Sequence, residues 1–163
     1  MSNPRHSTAL LLLIAAASGM TGCQRGEKSC KYYSLVLERS ESAEDKRRAL
    51  EEIKRMNSKD QLKCDDDKVF DRISKAMEQP KFRPIVVETL ENVGRAGGKL
   101  RDRSEKLLIS GLKHNDAAGQ IAGVIRTWRL ETAETGRDAG WLPSKATAQA
   151  LGVAIKRIQS GGA

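Results

Sequence analysis

The segment VVETLENV, residues 86 to 93, has apolar residues at its first, second, fifth and eighth positions. Because an α-helix turns once every 3.6 residues, this spacing places the four side chains on one face of a helix. ALEEIKRM (49–56) and IAGVIRTW (121–128) repeat the spacing, and LGVAIKRI (151–158) is a looser fourth copy. The first three copies begin at residues 49, 86 and 121, so the pattern recurs after 37 and then 35 residues. Such a period predicts a helical repeat protein.

A second helical segment precedes each of the three strong copies. These segments are YYSLVLERS (32–40), KVFDRISKAMEQ (68–79) and SEKLLISGLKH (104–114). The order is therefore helix, short polar turn, helix, three times in succession. No stretch shows sustained alternation of apolar and polar residues, which is the pattern of a half-buried strand. The sequence predicts an all-α domain over residues 30 to 160.

The turns and their neighbouring arginines point to a particular kind of repeat. The turns read SESAED, EQPKF and KHNDAA, and Arg47, Arg48 and Arg83 precede the apolar helices. Residues 30 to 131 resemble HEAT-like repeats of the PBS-lyase type. The resemblance implies a short α-solenoid in which an outer and an inner helix form each repeat. A globular helical bundle with regular hairpins is the alternative.

The uncharged run LLLLIAAASGMTGC, residues 10 to 23, has a different origin. It is shorter than the roughly 20 apolar residues that span a bilayer, and its length is typical of a secretory signal. Its end, MTGC, resembles the lipobox of bacterial lipoproteins, although Met20 and Thr21 depart from the commonest residues. The resemblance implies a signal peptide over residues 1 to 22, a lipidated Cys23, and a short tether over residues 23 to 29. A plain signal peptide and an uncleaved helix are the alternatives.

The leader also bears on compartment and partners. A lipidated Cys23 implies a cell-envelope protein anchored in a membrane with its domain outside the cytoplasm, and Gln24 after it favours the outer membrane. The formal net charge is +8. A basic domain attracts nucleic acid, anionic lipid or acidic proteins. Export makes nucleic acid improbable, so we expect a lipid anchor and a protein partner, one that could be acidic.

Two cysteines remain beyond the lipobox. Cys30 and Cys64 lie in a chain that we expect to be exported, where paired thiols normally form a disulfide. They are 34 positions apart, close to the repeat length, so the bridge would join the first repeat to the second. His114 is the only histidine after residue 22. We therefore expect neither a metal site nor a cofactor.

The segment from residue 94 onward begins GRAGGKL but does not match a Walker A phosphate loop, which needs a differently placed glycine and a Ser or Thr after the lysine. What remains is a dense basic segment: Arg95, Lys99, Arg101, Arg103 and Lys106. We expect these residues to be exposed and to bind an acidic partner or a membrane surface, with solvated surface charge as the alternative. Trp141 either caps the open end of the stack or anchors a partner.

No set of nucleophile, base and orienting group is evident, so the sequence does not indicate an enzyme. The interpretation that fits these features is a membrane-anchored lipoprotein whose helical repeats act as a protein-binding scaffold or adaptor. One alternative is a pilot or assembly factor for an envelope complex. A lyase-type enzyme on a HEAT-like scaffold is another, and a buried carboxylate in a deep pocket would favour it.

Overall fold

The computed structural model describes residues 29 to 56, 61, 64 to 135 and 142 to 161. Within them the regular structure consists of seven α-helices and one 3-10 helix, Pro80–Phe82, and contains no β-strand. The α-helices are α1 (Cys30–Arg39), α2 (Ala43–Arg55), α3 (Asp67–Met77), α4 (Arg83–Arg95), α5 (Gly98–Gly111), α6 (Asn115–Thr135) and α7 (Lys145–Gln159). The predicted all-α class is confirmed. Residues 1 to 22, Cys23 and Trp141 lie outside the described residues.

Side-chain caps start four of these helices. Each cap accepts a hydrogen bond from a backbone N–H two or three residues later: Ser29 from Tyr32, Ser42 from Asp45, Asp66 from Lys68, and Ser144 from Thr147. Such a cap satisfies one of the N–H groups that have no partner inside the helix. Acidic residues ahead of a helix, as at Asp65 and Asp66, and a serine ahead of one, as at Ser144, are the residue types that favour such caps.

The helices contact one another in a regular order. α1 contacts α2, successive helices from α3 to α7 contact one another, and each helix also contacts the one two places further along the chain. Thus α1 contacts α3, α3 contacts α5, and α5 contacts α7. In the same way α2 contacts α4, and α4 contacts α6. The odd-numbered helices therefore follow one another in one row, and the even-numbered helices follow one another in a second row.

The apolar positions of the repeated pattern form the core between the rows. Val86, Val87, Leu90 and Val93 of α4 are all 0% exposed. The residues at the matching positions of the α2 and α6 copies are also buried, except Met56 and Ala122, which are half-buried. The prediction that these three copies line the core is confirmed.

Polar contacts between helices join residues that are about one repeat apart. Lys54 Nζ lies 2.8 Å from Glu88 Oε2, across a sequence separation of 34. Arg83 Nη1 donates to Asp116 Oδ1 at 2.8 Å, across a separation of 33. The indole N–H of Trp128 donates to the carbonyl of Glu91 at 3.2 Å, across a separation of 37. The interval in the sequence is therefore also the register in which neighbouring helices meet.

The fourth copy of the pattern does not behave like the other three. It lies in α7, where Gly152, Ile155 and Ile158 are exposed and Leu151 is half-buried, so this copy does not line the core. The buried positions of α7 are instead Thr147 and Ala154. The reason is the place of α7: it follows α5 in the odd row, and no described helix follows α6 in the even row.

Candidate functional site

The basic segment predicted from the sequence spans the end of α4 and the first half of α5, but its members have different surroundings. Arg101 is only 4% exposed, so the expectation that it lies on the surface is wrong. Its Nε donates to the carbonyl of Gly94 at 3.1 Å, and its guanidinium carbon lies 5.7 Å from the centre of the Trp128 ring. Arg101 therefore holds α4, α5 and α6 together.

Gly94 makes this arrangement possible. It lies within α4 and is buried, and a Cβ atom at this position would overlap the six-membered ring of Trp128. The absence of a side chain lets the indole pack directly on the backbone of α4. The sequence shows the glycine and the tryptophan but not that they meet, because they lie on different helices.

Two more arginines of the segment are engaged with acidic side chains. Arg103 Nε lies 3.1 Å from Asp65 Oδ1, and Arg103 Nη2 lies 2.7 Å from Asp67 Oδ1. Asp65 precedes α3, and Asp67 is its first residue. Arg95 lies 2.9 Å from Glu91 and 3.1 Å from Glu131 of α6. These ion pairs neutralise part of the positive charge on which the binding prediction rests. Lys99 and Lys106 are exposed, as expected, and the binding role of the segment stays a prediction.

A buried carboxylate is present at Glu105, which is 6% exposed. Its Oε1 accepts a hydrogen bond from the backbone N–H of Ser144 at 2.8 Å and a second from the Thr147 hydroxyl. Both donors belong to the amino-terminal end of α7. A carboxylate is favourable there because the first turn of a helix carries a partial positive charge. Glu105 thus docks α7 onto α5.

The disulfide prediction has a clear structural counterpart. Cys30, the first residue of α1, and Cys64, three residues before α3, form a disulfide with a Cα separation of 5.3 Å. Both side chains are about 1% exposed. The bridge links the first two helices of the odd row, as the repeat spacing predicts.

Exposed apolar side chains mark a region that the sequence interpretation missed. Among the described residues, the large hydrophobic side chains that remain exposed are mostly at the carboxyl-terminal end: Leu130, Leu142, Val153, Ile155 and Ile158, with Tyr32 the exception. Ile155 and Ile158 belong to the looser fourth copy of the apolar spacing, and the spacing alone does not show that they are exposed. The signal available in the sequence was the uncharged stretch from residue 146 to residue 155.

Helix geometry divides the outward surface of α7 into two flanks. Arg157 donates to the carbonyl of Leu112, where α5 ends, so its flank faces α5. Residues two positions apart point about 200° away from each other around a helix. Ile155 therefore lies on the flank away from α5, and Ala148 and Gly152 share that flank at helical spacing. All three are exposed.

α6 presents a corresponding flank. Its contacts with α4 are made by Asp116, Trp128 and Glu131, and Ala122 and Arg126 point away from these residues. We call the outward flanks of the two helices together the carboxyl-terminal edge. Its residues are Ala122, Arg126 and Leu130 of α6 and Ala148, Gly152 and Ile155 of α7.

The edge runs along two antiparallel helices. The amino-terminal end of α7 is held at Glu105, and its carboxyl-terminal end is held near Leu112, just before α6 begins. α7 therefore runs parallel to α5 and antiparallel to α6. This arrangement leaves a long strip of small and apolar residues that another helix could contact.

The described residues also bear on metal binding and on membrane insertion. Within the described ranges, no group of three or more His, Cys, Asp or Glu side chains could hold a metal ion. The helices in those same ranges include none that is long and apolar enough to cross a membrane. No family model, curated protein or solved structure matches this chain.

Proposed function

We propose that this chain is a bacterial envelope lipoprotein whose domain, a short HEAT-like stack of helix pairs, binds another protein. The proposed anchor rests on the sequence MTGC at residues 20 to 23, which ends a short apolar run. An acyl chain at Cys23 together with further acylation of the new amino terminus would hold the domain stably at a membrane. The six residues from Gln24 to Ser29 would keep the domain within roughly 20 Å of the bilayer.

The register of the contacts supports the stack. In a globular bundle, helices that are distant in the sequence meet in the core. Here the polar contacts between helices join residues separated by 33 to 39 positions, with few exceptions. Each helix pair therefore contacts the next pair, which is the organisation of a repeat protein.

The exposed apolar residues at the end of the stack carry the functional proposal. Terminal repeats normally have a polar outer face, because an apolar one is insoluble unless something covers it. Ile155 is 48% exposed and Leu130 is 52% exposed. Exposed apolar side chains surrounded by polar residues are typical of a protein-binding surface.

The test uses the full chain in its native envelope. We expect intact mass analysis to show cleavage before Cys23 and added lipid, and Cys23→Ser to abolish both. Chemical cross-linking of the wild-type protein should then yield one defined heterologous protein adduct, reduced in the unanchored Cys23→Ser protein. An unlipidated wild-type chain would refute the anchor, and the absence of any protein adduct would refute the binding role.

A further inference from the structure

The carboxyl-terminal edge has the geometry of an unfinished helix pair. α7 contacts α5 as α5 contacts α3, so α7 occupies the first-helix position of a fourth pair. The second-helix position of that pair lies beside α6 and α7 and is filled by no described helix. In the earlier pairs, α4 and α6 fill this position.

A comparison of equivalent residues in α4 and α6 shows which surface of α6 no described helix covers. Val87 of α4 is 0% exposed because α6 packs beside it. The equivalent residue of α6 is Ala122, which is only half-buried. Arg95 stands two residues after Val93 and pairs with Glu131 of the next even-row helix. Leu130, which stands two residues after Trp128 in the same way, is 52% exposed.

The described side chains that carry charge around the edge are basic. α7 contains Lys145, Lys156 and Arg157 and no acidic residue. The outward flank of α6 adds Arg126, which is exposed. The acidic residues of α6 whose side chains the structure describes, Asp116 and Glu131, are paired with Arg83 and Arg95 on the flank that faces α4. A partner at this edge therefore meets an apolar strip with a basic rim.

We propose that the edge binds an amphipathic helix of another protein that has an apolar stripe with acidic residues on both sides. Such a helix completes the fourth pair by packing on Leu130 and Ile155, with its carboxylates toward Arg126, Lys145 and Lys156. A second copy of this chain is disfavoured, because it would bring basic rims together. This proposal names the partner class of the protein-binding role proposed above and rests on it.

A matched pair of synthetic peptides tests the proposal. Each is a stapled helix of about five turns with leucine and alanine at the apolar spacing of residues 121 to 128. One peptide has glutamate at the remaining positions, and the other has lysine. We expect the full chain in detergent to bind the glutamate peptide at least tenfold more tightly at 0.15 M salt, with the preference falling as salt rises.

Substitutions then locate the binding surface. Ile155→Ser and Leu130→Ser should each weaken binding of the glutamate peptide about tenfold. Val153→Ser is the matched control, because Val153 is 65% exposed on the same helix but on the flank away from the edge. Melting temperatures near that of the wild type show that the variants are folded.

Several outcomes would overturn the proposal. Equal affinity for the two peptides, no binding of either, or an equal loss in Val153→Ser would refute it. A dimer of the chain that Ile155→Ser dissociates would assign the edge to a second copy. Binding of phosphatidylglycerol vesicles that Ile155→Ser abolishes would assign it to lipid. If the envelope adduct persists unchanged in Ile155→Ser, protein binding holds but this site is wrong.

Discussion

The first and last interfaces of the helix rows differ in how they are held. Between the first two helix pairs, a disulfide joins Cys30 to Cys64, Arg72 pairs with Glu38 at 2.7 Å, and the Thr89 hydroxyl donates to the carbonyl of Leu50 at 3.2 Å. At the other end, α7 has packed neighbours on one side and leaves its outward flank open. One end of the domain is covalently closed, whereas the other exposes apolar surface.

The difference indicates a division of roles within one fold. The disulfide and the polar contacts near the proposed anchor stabilise the first two pairs without help from a partner. The carboxyl-terminal edge is the part of the domain furthest from the proposed tether along the chain, and it is where we propose that a partner helix binds. Stability and binding can therefore be separated by substitutions in the two regions.

Removing the disulfide should have the largest effect. In the chain-entropy model, a bridge that closes a loop of about 35 residues stabilises the folded state by about 3 to 4 kcal/mol. We expect Cys30→Ser with Cys64→Ser to lower the melting temperature by roughly 10 °C or more, measured by circular dichroism. A reductant should produce the same fall in the wild type and no change in the variant. Equal stability of the oxidised and reduced wild-type protein would contradict the claim that the disulfide stabilises the first two helix pairs.

Substitution of the buried Arg101 should have the second-largest effect on stability. Arg101→Gln removes a desolvated guanidinium from the Trp128 ring and from the Gly94 carbonyl, and should lower the free energy of unfolding by about 2 kcal/mol. The matched control is Lys99→Gln in the same segment, where the side chain is exposed and the change should be within about 0.5 kcal/mol. Urea titration measures both. Similar small effects in the two variants would mean that Arg101 is a surface charge after all.

The core, the disulfide, Arg101 and Ile155 together show which features of the fold can be predicted from the sequence and which cannot. The apolar spacing identifies the three core copies because periodicity depends on neighbours in the same helix. The cysteine separation anticipates the disulfide because it matches the repeat length. The burial of Arg101 depends on Gly94 and Trp128, which lie on other helices, so no local pattern reveals it. The exposure of Ile155 reflects the even row beyond α6, where the described residues supply no further helix, and the spacing of α7 alone cannot show this.

The smallest expected effect is the loss of folding stability at low pH. The hydrogen bond from Arg83 holds the pKa of Asp116 below its ordinary value of 3.8, and the bond from Lys113 holds the pKa of Glu78 below 4.5. A lowered folded-state pKa contributes stability that is present above the ordinary value and is lost as the pH falls through the folded value. We therefore expect stability to decline below about pH 4.5.

The variant Asp116→Asn isolates one of these contributions. It should be slightly less stable than the wild type at pH 6, and the difference should disappear as the pH falls well below 3.8. Urea titrations at both pH values measure it, and Asp102→Asn controls for the loss of one negative charge. A difference that is the same at both pH values would exclude this ion pair as its source.

Site-specific photo-cross-linking in the native envelope tests most directly that the carboxyl-terminal edge is the functional surface. A photoreactive amino acid is placed in the full chain at position 155, at position 153 on the other flank of α7, or at position 99 in the basic segment. We expect a defined heterologous protein adduct from position 155 and little or none from positions 153 and 99. An adduct from position 99 with none from position 155 would contradict it and return the binding role to the basic segment.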